Sequence, residues 1–167
     1  VFVHLLAETP VEVAALVSRL EGVEGVQGIE LGLPPECDLP AALALAQAAW
    51  GELPVIVQLP FARALEFAPA FASLPVAALS LASPRGALPG PGGGLIHGRL
   101  YGPTVLPQAL ATVQSLARNG SLVFGAGGIF QPADTAAMLA AGAAAVQLDF
   151  VLWGNRANPL DLKPSTF

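Results

Sequence analysis

The chain is poor in the residues that usually announce chemistry. It has one cysteine, Cys37, and two histidines, His4 and His97, in 167 residues. A single cysteine excludes an intramolecular disulfide framework and a CxxC metal site. The histidines lie far apart and have no neighbours at ligand spacing, so no metal centre is expected. His4 sits in an apolar run and reads as a packed, hydrogen-bonded residue. Charged residues make up 11% of the chain, against roughly a quarter in ordinary globular domains. So low a share suits strands covered on both faces. It also leads us to expect surface covered by a protein partner or by further chain. Net charge is −5, and no basic run or basic–aromatic cluster occurs, which argues against nucleic-acid binding. Two long charge-free windows, 67–84 and 100–117, raise the question of a membrane. Pro69, Pro75 and Pro84 interrupt the first, and Gly102, Pro103 and Pro107 the second. Proline at that spacing breaks a spanning helix. Val1 opens an apolar run with no basic segment before it, so no secretory leader is expected here.

What the chain has is a repeating unit: a short apolar run, a turn, then an alanine-rich amphipathic stretch. Six runs carry the strand signal, at 1–6, 28–33, 54–59, 76–81, 121–124 and 145–148. Thr9, Pro10 and Glu12 form a T-x-x-E capping box for the first helix. Asp38 is placed to cap a helix over 39–50, further helices follow over 62–71 and 106–118, and Asp134 is placed to cap one that stops at Gly142. Asn119 and Gly120 end the fourth helix in left-handed geometry. The glycine- and proline-rich stretch 83–98 reads as irregular. Beyond Trp153 the pattern dissolves, giving an expected barrel domain over 1–153 and an irregular tail over 154–167. Six strands in alternation with helices imply a parallel α/β sheet, either doubly wound or barrel-like. A full eight-fold barrel takes about 250 residues, so a barrel here would be incomplete.

Three segments resemble the dihydroorotate dehydrogenase family. The run from Gly28 through Glu30 to Pro35 is similar to the family's I-E-L-N-x-S-C-P. The run from Gly98 to Pro107 resembles G-G-L-S-G-P-x-x-K-P. Gly125, Gly127, Gly128 and Ile129, followed by Ala141 to Gln147, resemble G-x-G-G-I and A-G-A-x-x-V-Q. The resemblance implies an FMN-binding (β/α)8 TIM-type barrel without counterparts for the first two strands and the last helix. It further implies oxidation of dihydroorotate to orotate in pyrimidine synthesis, and a cytoplasmic enzyme. By this register Gln58, Ser83, Gly102, Gly127, Gly128, Asp149 and Phe150 fall at cofactor positions. The physical reading of the glycines agrees, because amides without a side chain can approach a phosphate, with a helix N-terminus behind them.

Several replacements fall on the chemistry. Gly32 stands at the family's asparagine, Gln58 at its flavin-side lysine, and Asp149 with Phe150 at its glycine–threonine pair. Pro35 stands where the family has its cysteine or serine base, which leaves Cys37, two residues on, as the catalytic candidate. Two readings therefore stay open: an FMN-dependent oxidoreductase acting on a small molecule, or an inactive barrel relative serving as an accessory subunit of a larger assembly. A sugar-phosphate isomerase type of barrel is a third, permitted by the glycine loop alone.

Overall fold

The computed structural model describes residues 1–149; Phe150 and the expected tail lie outside them. The strands are β1 (Phe2–Leu6), β2 (Gly28–Gly32), β3 (Val55–Leu59), β4 (Ala78–Leu81), β5 (Arg85–Pro89), β6 (Leu95–Arg99), β7 (Val123–Ala126) and β8 (Ala145–Gln147). The helices are α1 (Pro10–Leu20), α2 (Leu39–Ala48), α3 (Ala64–Phe71), α4 (Leu106–Arg118) and α5 (Pro132–Ala140). Six strands form one sheet in the order β1-β2-β3-β4-β7-β8, and every neighbouring pair is parallel. Their spatial order follows the chain order without reversal. A doubly wound sheet reverses its strand order at a switch point, so the open alternative resolves to an incomplete TIM-like barrel, a curled half-barrel.

Strand alternation explains the two faces. Val3, Leu5, Ile29, Leu31, Val57, Leu59, Leu79, Leu81 and Val123 point outward to the helices, and most are 0–6% exposed. They pack with Val13, Val17, Phe67, Phe71, Val113, Leu116 and Met138 from the helices. The alternate positions, His4, Glu30, Gln58, Ser80 and Gln147, share the concave face. A Cβ added at Gly32 would meet Leu6 and His4, which fixes that glycine on the same face. One added at Gly125 would meet Met138, which fixes Gly125 on the outer one.

The caps bear out the local chemistry with one correction. The Glu12 N–H donates to Thr9 Oγ1 at 3.3 Å and the Thr9 N–H to Glu12 Oε2 at 3.1 Å, closing the capping box. Asp38 accepts from the Ala41 N–H at 2.9 Å. Asp134, however, is not the N-cap of α5. Gln131 is, and Asp134 reaches back from the third helical position to accept from the N–H groups of Phe130 and Gln131 at 2.9 and 3.0 Å. A second correction concerns residues 83–98. They are not irregular: β5 and β6 pair antiparallel from Arg85↔Arg99 to Pro89↔Leu95, with Gly93 at φ 79° in the turn. Glycine and proline mask the strand periodicity, but a hairpin needs only backbone hydrogen bonds and a tight turn.

Gly128, at φ 77°, ties the glycine loop to α4. An added Cβ would overlap the backbone N of Leu106 and lie 2.8 Å from its Cα. Gly98 on the exposed hairpin has nothing within 4 Å. Gly128→Ala is therefore expected to lower unfolding free energy by about 3 kcal/mol, and Gly98→Ala to change it by less than about 0.5 kcal/mol. Urea unfolding of the two variants checks both.

Candidate functional site

The concave face carries its polar groups in one network centred on Glu30, whose side chain is 13% exposed. Glu30 Oε1 accepts from Ser80 Oγ at 2.6 Å and from Gln147 Nε2 at 2.7 Å, and Oε2 meets His4 Nδ1 at 2.8 Å. These partners come from β4, β8 and β1, so one carboxylate on β2 joins four strands. Gln147 is 117 residues away in the chain. β2 and β8 are separated by three strands in the sheet, and their side chains meet only because the sheet curls. Burial pushes the Glu30 carboxyl upward. Hydrogen bonds from His4, Gln147 and Ser80, with the charge of His4, outweigh it and hold the group below its ordinary 4.5.

Above this network, at the carboxyl ends of the strands, lies a cavity of about 430 Å³ lined by Glu30, Gln58, Ser83, Tyr101, Gly127, Gln147 and Asp149. That is the edge where open parallel sheets and barrels bind their ligands. A groove of about 550 Å³ adjoins it beneath the β5–β6 hairpin, lined by Leu33, Pro35, Glu36, His97 and others. Gln58, Phe61, Ala82, Ser83 and Arg99 line both, so the two spaces are continuous.

Four of the residues singled out by sequence, Gln58, Ser83, Gly127 and Asp149, therefore come together in one cavity. Gly127 and Gly128 are both buried, at φ 99° and 77°. Neither N–H finds an acceptor among the described residues. Buried backbone donors are nearly always satisfied, so an anion or water belongs against them. Gly128 itself backs onto α4 rather than lining the cavity, and Gly102 lines neither space; it starts the turn of helix over Pro103–Val105 at φ 112°. Cys37 also stands apart. It packs half-buried against the core, and its carbonyl accepts from Arg63 Nη1 at 2.7 Å. Burial raises the thiol's pKa, opposed by Arg63 and reinforced by Asp38. A thiol so placed is protonated at neutral pH and a poor base. Phe150 lies outside the described residues. Among the described residues, no cluster of His, Cys, Asp and Glu could hold a metal ion, and no helix is long and apolar enough to cross a membrane.

Sequence reasoning missed Glu30 as a site residue, along with Gln147 and Glu36. The available signal for Glu30 was a lone carboxylate within an otherwise apolar run; its place in the same register row as His4 comes from the structure.

No family model matches the sequence, and no curated protein does. Among solved structures, the chain is similar to DHODH, a dihydroorotate dehydrogenase, from Eimeria tenella in complex with ferulenol. The TM-score is 0.69 at 13% identity, over 89% of this chain and 50% of that one. In fold, the chain resembles dihydroorotate dehydrogenase. It spans half the length of that neighbour.

The lowered pKa of Glu30 fixes the sign of a pH effect. A carboxylate whose folded pKa is depressed adds stability above its unfolded value near 4.5, and that stability fades as pH falls through the folded value. Glu30→Gln is expected to cost about 1–2 kcal/mol at pH 7. The difference from the parent should shrink below pH 4.5. Paired urea unfolding curves across pH 3–7 test it.

Proposed function

We propose that this chain forms the flavin-binding side of an oxidoreductase barrel of the dihydroorotate dehydrogenase type. The observation that carries the reading is the pair of acceptor-free N–H groups at Gly127 and Gly128, on the loop that edges the carboxyl-end cavity. Buried amide donors of this kind fit the terminal phosphate of FMN. In that arrangement Gln58 and Ser83 lie along the cavity where the ring system would rest. Gln58 offers a hydrogen bond but no charge. Bound FMN would supply the two-electron acceptor for oxidation of dihydroorotate to orotate. Glu30 acts from below, holding β2, β4 and β8 at the spacing that shapes the cavity floor.

Asp149 lines the same cavity, where a carboxylate brought near a phosphate would oppose it. Two like charges about 4 Å apart repel by about 4 kcal/mol at an effective dielectric of 20. The reading therefore predicts weak FMN binding that improves on removal of that charge. The test is titration with FMN, followed by flavin absorbance and fluorescence quenching. Binding should be measurable in the parent, and Asp149→Asn should tighten it by about tenfold or more. A parent and a variant that both leave flavin fluorescence untouched would overturn the proposal.

One observation favours a second reading, that of an accessory subunit without catalysis. Pro35 lines the groove and has no proton to exchange, while Cys37 lines neither space. Edge strand β1 leaves Phe2 and Leu6 47% and 62% exposed, and an open edge invites a covering chain. On this reading the isolated chain self-associates in light scattering; a stable monomer argues against it.

A further inference from the structure

The β5–β6 hairpin holds a charge conflict that no ion pair among the described residues relieves. Its register sets Arg85 directly opposite Arg99, and Ala87 opposite His97. Directly opposed residues share one face of the ribbon, with Cβ atoms about 4.5–5.5 Å apart, and like charges there are destabilising. All three basic residues line the groove beneath the hairpin. Arg63, which also lines it, is neutralised by Glu66 through contacts at 3.0 and 2.6 Å. Arg85 and Arg99 have no such partner: the ion pairs among the described residues are His4–Glu30 and Arg63–Glu66. Glu36, the acidic residue lining the groove, pairs with neither arginine. The opposite face of the ribbon is apolar, with Leu88 opposite Ile96, 69% and 59% exposed. The three basic residues are themselves exposed, but they share the ribbon face that borders the groove. An isolated two-stranded ribbon is marginal at best, so it gains nothing by itself from placing two guanidiniums side by side.

We propose that Arg85, Arg99 and His97 clamp the phosphoryl group of a small phosphomonoester, whose body lies on the groove floor of Leu33, Pro60 and Phe61. The chemistry selects phosphate over carboxylate. Each guanidinium presents a planar fork that takes two oxygens, and a terminal phosphoryl group offers three. Its double negative charge near neutral pH matches two arginines, where a carboxylate matches one. The site goes beyond flavin binding, because Arg85 and His97 do not line the cavity edged by Gly127.

The test is isothermal titration of the full chain with inorganic phosphate at fixed ionic strength, with acetate as the monoanionic comparator. Phosphate should bind at least about tenfold more tightly than acetate, and Arg85→Ala and Arg99→Ala should each weaken it by about tenfold. Arg118→Ala, on the exposed end of α4, should leave it unchanged. Arg85→Gln and Arg99→Gln, which keep side-chain bulk, replace the alanine variants if either melts early. FMN fluorescence quenching is followed in the same samples. Loss of phosphate binding with flavin binding intact supports the clamp. Equal affinity for phosphate and acetate overturns it. So does phosphate binding that survives the double variant, which would assign the anion to the Gly127–Gly128 amides. Joint loss of phosphate and flavin also overturns it, since the arginines would then hold the flavin's own phosphate.

Discussion

The carboxylate of Glu30 is the constraint on which the rest of the structure depends. It accepts hydrogen bonds from Ser80 and Gln147 and meets His4, so one charged group on β2 holds side chains from β1, β4 and β8. A parallel sheet has no intrinsic need to curl this far; twist alone gives an open propeller-like surface. Polar groups that meet across the concave face convert the twist into closure. Burying the carboxylate carries a desolvation cost. Three partners offset it, and the net effect favours the charged form.

From this constraint the division of labour between the two faces follows. The outer row is filled with Ile29, Leu31, Val57, Leu59 and Val123, each at most 2% exposed, and the helices seal it. That row resembles any α/β core and says nothing about function. The inner row leads upward into the cavity at the carboxyl edge, where Gln58, Ser83, Gly127 and Asp149 converge. Side chains supply little of the cationic character expected there, and the loop amides supply donors instead. Positive charge comes from the hairpin, at Arg85 over the groove and at Arg99, which lines both the groove and the cavity.

Much of the fold was legible because its signals are local. Thr9 with Glu12, Asp38, and the left-handed Gly120 each act within one turn of chain, and each stands where its chemistry predicts. The six strands were legible because a strand buried on both sides is apolar almost throughout. The choice between a doubly wound sheet and a barrel was not, since it lies in spatial order rather than in any one element. The hairpin was hidden because Gly86, Pro89, Gly90 and Gly92 to Gly94 give no side-chain period, although the backbone pairs regardless. Asp134 was misplaced by three residues because a carboxylate caps equally well from the N-cap or by reaching back from the third helical position. In the site, the glycines announced themselves through their spacing. Glu30 and Gln147 did not, because 117 residues separate them and only the curl of the sheet brings them together.

The central claim is that a curled sheet, fixed by Glu30, presents the glycine loop to an anionic cofactor, with the Gly127 amide at the cavity and the Gly128 amide behind it, against α4. It is tested most directly by the backbone amide NMR spectrum of the chain as FMN is added. The account predicts that the Gly127 and Gly128 resonances shift first and furthest, and that in Glu30→Gln they respond only at higher FMN concentration. Resonances that stay fixed at both glycines while others move, or a Glu30→Gln spectrum that responds like the parent, would contradict it.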